Sequence, residues 1–181
     1  MVERIFRVRI KNIINEKEND LKRKILVIDD EQGVIDSLKV YLGKEGYIVE
    51  GETNPLLGIE NIRNNYYDIL ILDYIMIPIN GDKVIEEIRK FNKYIYIIVL
   101  TGHKSVAPPI ETIRRLNIQG YLEKTNKFEQ ILLMIESSVK SIIQLEEIKK
   151  KNKEIEETYI ESIETLRKIV EAKDNYTLRT F

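Results

Sequence analysis

Between residues 24 and 126, short apolar runs alternate with amphipathic stretches. Ile25-Leu-Val-Ile28, Ile69-Leu-Ile-Leu72 and Ile95-Tyr-Ile-Ile-Val-Leu100 are almost unbroken and rich in β-branched residues. Such runs suit strands covered on both faces. The pattern predicts strands near 24–29, 47–51, 68–72, 95–100 and 119–122. Helices are expected near 32–45, 55–64, 81–91 and 107–116, and another from about Lys127. Pro55 suits a first helical turn, and Gly46 and Gly120 suit helix-to-strand corners. Pro108-Pro109 should delay or distort the start of the fourth helix. Strand and helix in strict alternation imply an α/β domain over 24–126, a doubly wound five-stranded parallel sheet.

From Lys127 to about residue 174 the pattern is helical throughout, with no Gly or Pro after Gly120. Leu145, Ile148, Asn152 and Ile155 open a seam that continues through Tyr159, Ile163, Leu166 and Val170. The spacing is close to a heptad with one extra-residue slip. A charged helix of this length cannot bury its outer half on one small domain, so a partner helix is expected, as in a coiled-coil homodimer; a lone charged helix that frays is the alternative. Residues 175–181 form a tail. Residues 1–23 carry Val2, Ile5, Phe6, Ile10, Ile13 and Ile14 near helical spacing, with basic residues between them, and read as a short N-terminal amphipathic helix. It could lie on a membrane surface, dock on the domain or pair with its own copy.

Composition narrows the classes. Charged residues make up 33% and hydrophobic ones 43% of 181 residues, and the net charge is −1. Nothing global steers such a chain to nucleic acid or to an anionic membrane. The helical region holds no turn between two helices and no basic recognition stripe, so no nucleic-acid output is expected. The absence of cysteine removes disulfides and thiolate metal sites and fits a cytoplasmic location. No apolar run is long enough to span a bilayer, and residues 1–20 lack a signal-like stretch.

The chemistry lies where the strands end. Asp29-Asp30, Asp73 and Thr101 each close an apolar run, and Lys124 follows Tyr121-Leu122. In a parallel sheet these carboxyl ends share one edge. Three carboxylates, a hydroxyl and an ammonium would converge there, an inventory suited to holding Mg²⁺ and moving a phosphoryl group onto a carboxylate. His103, the single histidine, reads as a plain residue at the mouth of that site.

These residues resemble a bacterial response-regulator receiver domain over roughly 23–140. Ile25–Glu31 is similar to the acidic pair after the first strand, and Asp73–Gly81 to the phosphoacceptor loop. Leu100-Thr-Gly-His103 carries the switch hydroxyl, and Tyr121-Leu-Glu-Lys124 the switch aromatic and the lysine. The resemblance implies a flavodoxin-like fold. It makes Asp73 the acceptor of a phosphoryl group from a cognate histidine kinase, with Thr101 and Lys124 holding the phosphoryl oxygens. Asp29, Asp30, Asp73 and the Ile75 carbonyl would be the Mg²⁺ ligands, and Thr101 and Tyr121 the switch pair. Such a protein is a phosphorelay switch, not an enzyme beyond its own phosphorylation and dephosphorylation. Two positions depart from the family. Ile77 stands where proline is usual, with Pro78 next, and Thr125 replaces the proline after the lysine.

Thr158–Phe181 resembles the opening of an HD-GYP cyclic-di-GMP phosphodiesterase domain, cut off before its metal motif. One histidine cannot build that family's metal cluster. The expected function is thus a receiver whose helical stalk regulates an HD-GYP output. A degenerate receiver serving as a dimer scaffold is the alternative. A haloacid-dehalogenase-type enzyme fits less well, since its two aspartates are separated by one residue whereas Asp29 and Asp30 are adjacent.

Overall fold

The computed structural model describes residues 23–102, 110–124 and 128–177, with side chains to residue 171. The N-terminal segment 1–22, His103, Pro108-Pro109, Thr125 and residues 178–181 lie outside the described residues. Contacts divide the chain into two compact units, Met1–Val139 and Lys140–Phe181.

In the first unit the strands are β1 (Lys24–Ile28), β2 (Ile48–Glu52), β3 (Ile69–Asp73), β4 (Tyr96–Thr101) and β5 (Gly120–Glu123). They form one sheet in the order β2-β1-β3-β4-β5, and every pairing is parallel. The expected strands are all present: β1 begins where expected and ends one residue earlier, and the other four are displaced by one residue toward the C-terminus. Between them run α1 (Gln32–Lys44), α2 (Pro55–Asn64), α3 (Gly81–Phe91) and α4 (Ile110–Arg115). A fifth helix, α5 (Phe128–Thr177), is longer than the sequence pattern indicated and crosses from the first unit into the second. The fourth helix is described only from Ile110, directly after the proline pair.

Burial explains the layering. Ile25, Leu26, Val27 and Ile28 are all fully buried, as are Ile69 through Leu72, so β1 and β3 are covered on both faces. Alternate side chains point to opposite faces. Leu26, Ile28, Leu70 and Leu72 therefore share one core with Ile59 and Ile62 of α2 and Val84, Ile85 and Ile88 of α3. The other face is met by α1 and the start of α5, whose buried residues include Ile35, Leu38, Ile131 and Ile135. Tyr41 of α1 stacks on Phe128 of α5, ring centres 5.2 Å apart. β2 is an edge strand, and its side chains are at least partly exposed.

Local signals set the helix boundaries. Asn54 caps α2, its side chain accepting from the Leu56 N–H at 2.9 Å, and Pro55 occupies the first turn as expected. Gly46 has φ +92 and turns the chain from α1 into β2. Gly120 is different from the expectation: it opens β5 itself. The corner before β5 is made by Asn117, at φ 49, a conformation asparagine tolerates better than most residues. Gly120 instead answers close packing, because a Cβ there would meet Met134 Sδ at 2.2 Å.

Arg89 fastens the end of the sheet away from the carboxyl edge. Its guanidinium donates to the carbonyls of Ile95 at 2.9 Å, Leu116 at 3.2 Å and Asn117 at 2.8 Å. One side chain thus ties α3, the entry to β4 and the turn after α4, and its burial lowers its pKa.

Candidate functional site

In the order 2-1-3-4-5 the chain reverses direction of growth between β1 and β3, and a crevice opens at their carboxyl ends. Asp29 leaves β1 there and Asp73 is the last residue of β3. Side-chain oxygens of Asp29, Asp30 and Asp73 all lie within 4.8 Å of one another. Asp29 is 1% exposed and Asp73 5%, whereas Asp30 faces solvent. Asp29 Oδ1 accepts the Glu31 N–H at 3.0 Å, which fixes the first carboxylate against its own turn. Asp73 Oδ1 accepts the Ile75 N–H at 3.4 Å.

Lys124, directly after β5, crosses to this cluster. Its Nζ is 2.8 Å from Asp29 Oδ2 and 2.8 Å from Asp73 Oδ2. Its backbone N–H donates to the Thr101 carbonyl at 2.6 Å, so the end of β4 anchors the base of the lysine. Burial alone would lower the Lys124 pKa, but hydrogen bonds and charge from Asp29 and Asp73 outweigh it and hold the ammonium well above its usual range. Asp29 goes the other way from most paired carboxylates. Burial raises its pKa, and the Lys124 and Glu31 hydrogen bonds recover only part of that shift.

Glu31 also takes part, a role that nothing in the apolar pattern assigns to it. Its Oε1 lies 3.4 Å from Lys124 Nζ at the solvent side of the pocket. The only signal is a third consecutive acid after β1, which also reads as a helix-entry residue.

Thr101 ends β4 and is fully buried. Tyr121 sits on β5 in register with Val99, its ring packed on the core that α2 and α3 share with the sheet. The phenol oxygen is buried, so this aromatic is turned inward. Burial raises its pKa, Glu123 adds to the rise and the Thr101 side chain opposes it.

The loop from Tyr74 to Asn80 carries the acceptor's surroundings. The Tyr74 N–H donates to the Leu100 carbonyl at 3.0 Å, and the Gly81 N–H to the Tyr74 carbonyl at 2.8 Å. The Ile77–Pro78 peptide is cis, and Ile77 is exposed. Gly81 is required by space: a Cβ would lie 2.7 Å from the Asp73 carbonyl oxygen and 3.0 Å from Tyr74 Cα. Both neighbours are backbone and cannot swing aside. Gly81→Ala should therefore destabilise the domain by about 1–3 kcal/mol and weaken beryllofluoride binding. Thermal denaturation and fluoride titration of the variant check this, and unchanged values in both would contradict it.

The donor set is all oxygen and strongly anionic, which fits a hard divalent cation such as Mg²⁺ better than a softer metal. Among the described residues, no helix is long and apolar enough to cross a membrane.

Residues 25–136 match the response regulator receiver domain. The chain is 28% identical over 115 residues to the transcriptional regulatory protein ZraR of Klebsiella oxytoca, covering 64% of this chain and 26% of that protein. It is 31% identical over 109 residues to the response regulator MprA of Mycobacterium sp. (strain KMS), covering 60% and 47%. It thus spans less than half the length of these curated relatives. Among solved structures, the Thermotoga maritima response regulator TrrA in complex with Mg²⁺–BeF is 29% identical, with a TM-score of 0.59 over 64% of this chain and 98% of that one. With the parallel order 2-1-3-4-5 and an acidic crevice at its switch point, the chain belongs to the response regulator receiver family.

Proposed function

We propose that the chain is the phosphoacceptor of a two-component signalling system, with Asp73 as the residue that takes the phosphoryl group from a cognate histidine kinase. The observation that carries the reading is the single lysine bridging two buried carboxylates, 2.8 Å from each, in the crevice between β1 and β3. An Asp73 carboxylate oxygen attacks phosphorus, the P–N bond of the phosphohistidine breaks, and its electron pair returns to the imidazole. The product is an acyl phosphate on Asp73. Asp30, Asp73 and the Ile75 carbonyl would hold Mg²⁺ directly, and Asp29 through water. When bound, the ion neutralises charge on the transferring phosphoryl oxygens.

Lys124 is already beside the acceptor and exchanges its contact with Asp73 Oδ2 for a phosphoryl oxygen. The Thr101 hydroxyl holds a second one. Tyr121, packed inward beside Thr101, carries the change in that hydroxyl to the surface around α4 and β5. The stalk formed by α5 then relays it. Its output in this reading is an HD-GYP phosphodiesterase, on the resemblance of Thr158–Phe181, and two copies of the chain pair through the stalk in the cytoplasm. The domain boundaries follow: an N-terminal extension 1–23, a receiver 24–126, a signalling helix 127–174 and a tail.

Incubation with acetyl phosphate and Mg²⁺ is expected to add one phosphoryl group per chain by intact-mass spectrometry, and Asp73→Asn to abolish it. An unmodified parent chain would overturn the phosphoacceptor reading and favour a static scaffold.

A further inference from the structure

Among the described residues of the second unit the chain is helical, and from Ile143 onward its apolar side chains are exposed. Ile148 is 54% exposed, Ile155 66%, Tyr159 66%, Ile163 48%, Leu166 62% and Val170 57%. From Ile148 the seam steps by 4, 3 and 4 residues to Asn152, Ile155 and Tyr159. It then repeats the same steps to Ile163, Leu166 and Val170. Each cycle is eleven residues, and there are two of them. At about 100° per residue, these seven positions fall within a stripe about 80° wide on an undistorted helix.

A strict heptad would continue differently. After Tyr159 it would take Ser162, Leu166 and Ile169, and its stripe would drift by about 20° per heptad on a straight helix. Ser162 is a poor seam residue, since its hydroxyl already donates to the Thr158 carbonyl of its own helix at 2.8 Å. The eleven-residue phase puts Ile163 on the seam in its place.

Orientation follows from the polar positions. With parallel, in-register pairing, Asn152 faces the partner's Asn152, and each amide can satisfy the other. Lys151 lies beside the seam five residues before Glu156, so each lysine meets the partner's Glu156 across the pair. Antiparallel pairing centred on Tyr159 would oppose Lys151 to Arg167 and Glu154 to Glu164, and bury Asn152 against Leu166. Like charges would meet at both ends.

Resting on the reading that two copies of the chain pair through this helix, we propose that they do so parallel and in register along an eleven-residue seam, Ile148–Val170. Eleven residues over three turns is about 3.67 per turn, slightly above the α-helical 3.6, so the pair runs nearly straight or faintly right-handed. A left-handed coiled coil is the structure this phase excludes.

The chain has no cysteine, so single cysteines report position without background. In the full chain, Ile163→Cys and Val170→Cys are compared with Ser162→Cys and Ile169→Cys under mild copper-phenanthroline oxidation. Only side chains facing each other bring their Cβ atoms within the roughly 4 Å of a disulfide, so covalent dimer should form at least about five times faster at 163 and 170. Faster linking at 162 and 169 overturns the eleven-residue phase, and failure to link at all four overturns the parallel register. Light scattering of the parent chain separates this from failure of the pairing itself: a mass of two chains keeps pairing and isolates the phase, whereas a mass of one overturns both. The acetyl phosphate assay reads the acceptor site independently of either.

Discussion

Lys124→Met should lose about 3–5 kcal/mol of stability in metal-free buffer at neutral pH, and Mg²⁺ should return much of it. In the parent chain the ammonium sits 2.8 Å from both Asp29 and Asp73, whose side chains are 1% and 6% exposed. Methionine fills a similar volume but supplies no charge. Two buried carboxylates would then face each other with the solvent-facing Asp30 beside them. Removing one partner of a buried pair is costly because the remaining charge stays desolvated. Urea midpoints of parent and variant, with EDTA or with Mg²⁺, measure the effect. Equal midpoints in EDTA would show that Lys124 contributes no net stability here.

The pH dependence carries a sign that can be checked in the same experiment. The Lys124 pKa is raised in the folded state, so its contribution is fully present below its usual value of 10.5 and is lost as pH rises through the folded value. Asp29 is also raised, from 3.8, and being an acid it destabilises the fold as pH rises through its folded pKa. Without the lysine only the Asp29 effect remains, with less to oppose it. The variant should therefore regain more stability than the parent as pH falls from neutrality toward the usual Asp29 value of 3.8.

Much of this site is legible in the amino-acid sequence, because each chemical residue is tied to an apolar run. A continuous buried strand announces where it ends, and in a parallel sheet all such ends meet at one edge. Asp29, Asp73 and Lys124 come together for that reason, with Thr101 at the end of β4 taking the Lys124 N–H on its carbonyl. Tyr121 is less legible, since its strand position follows from the pattern but its packing against the shared core, with the hydroxyl buried, does not. Gly81 is visible as a loop glycine, but not why it must be one. Its reason is the Asp73 carbonyl 2.7 Å from a would-be Cβ, a contact made by the path of a loop and not by periodicity. Asn117 likewise carries the turn expected of Gly120, because asparagine tolerates a positive φ without a pattern that advertises it.

What periodicity hides most completely is polar pairing at long range, and Asp68→Ala should expose the largest instance. Asp68 precedes β3 at the sheet edge opposite the acceptor, and in sequence it reads as an ordinary loop acid. Folded, its Oδ1 is 3.0 Å from Arg23 Nη1, with the two side chains only 4% and 9% exposed. Its Oδ2 accepts the Lys24 N–H at 2.8 Å, and the Tyr66 hydroxyl donates to Oδ1 at 3.2 Å. The backbone joins the same knot: the Asp68 N–H donates to the Lys24 carbonyl, and the Tyr96 N–H to the Asp68 carbonyl. One carboxylate therefore fastens the beginnings of β1, β3 and β4. Alanine removes the carboxylate facing a buried guanidinium and the acceptor of a strand-end N–H, at an expected cost of about 3–5 kcal/mol. Asp68→Asn keeps an acceptor oxygen for Lys24 while removing the charge, so it should lose less than alanine does. Because the acceptor crevice lies at the other edge, either variant should still take a phosphoryl group from acetyl phosphate at temperatures where it is folded. Thermal midpoints of both variants, read beside the intact-mass assay, decide the matter. If alanine cost no more than a surface substitution, the Arg23–Asp68 pair would be incidental to the fold.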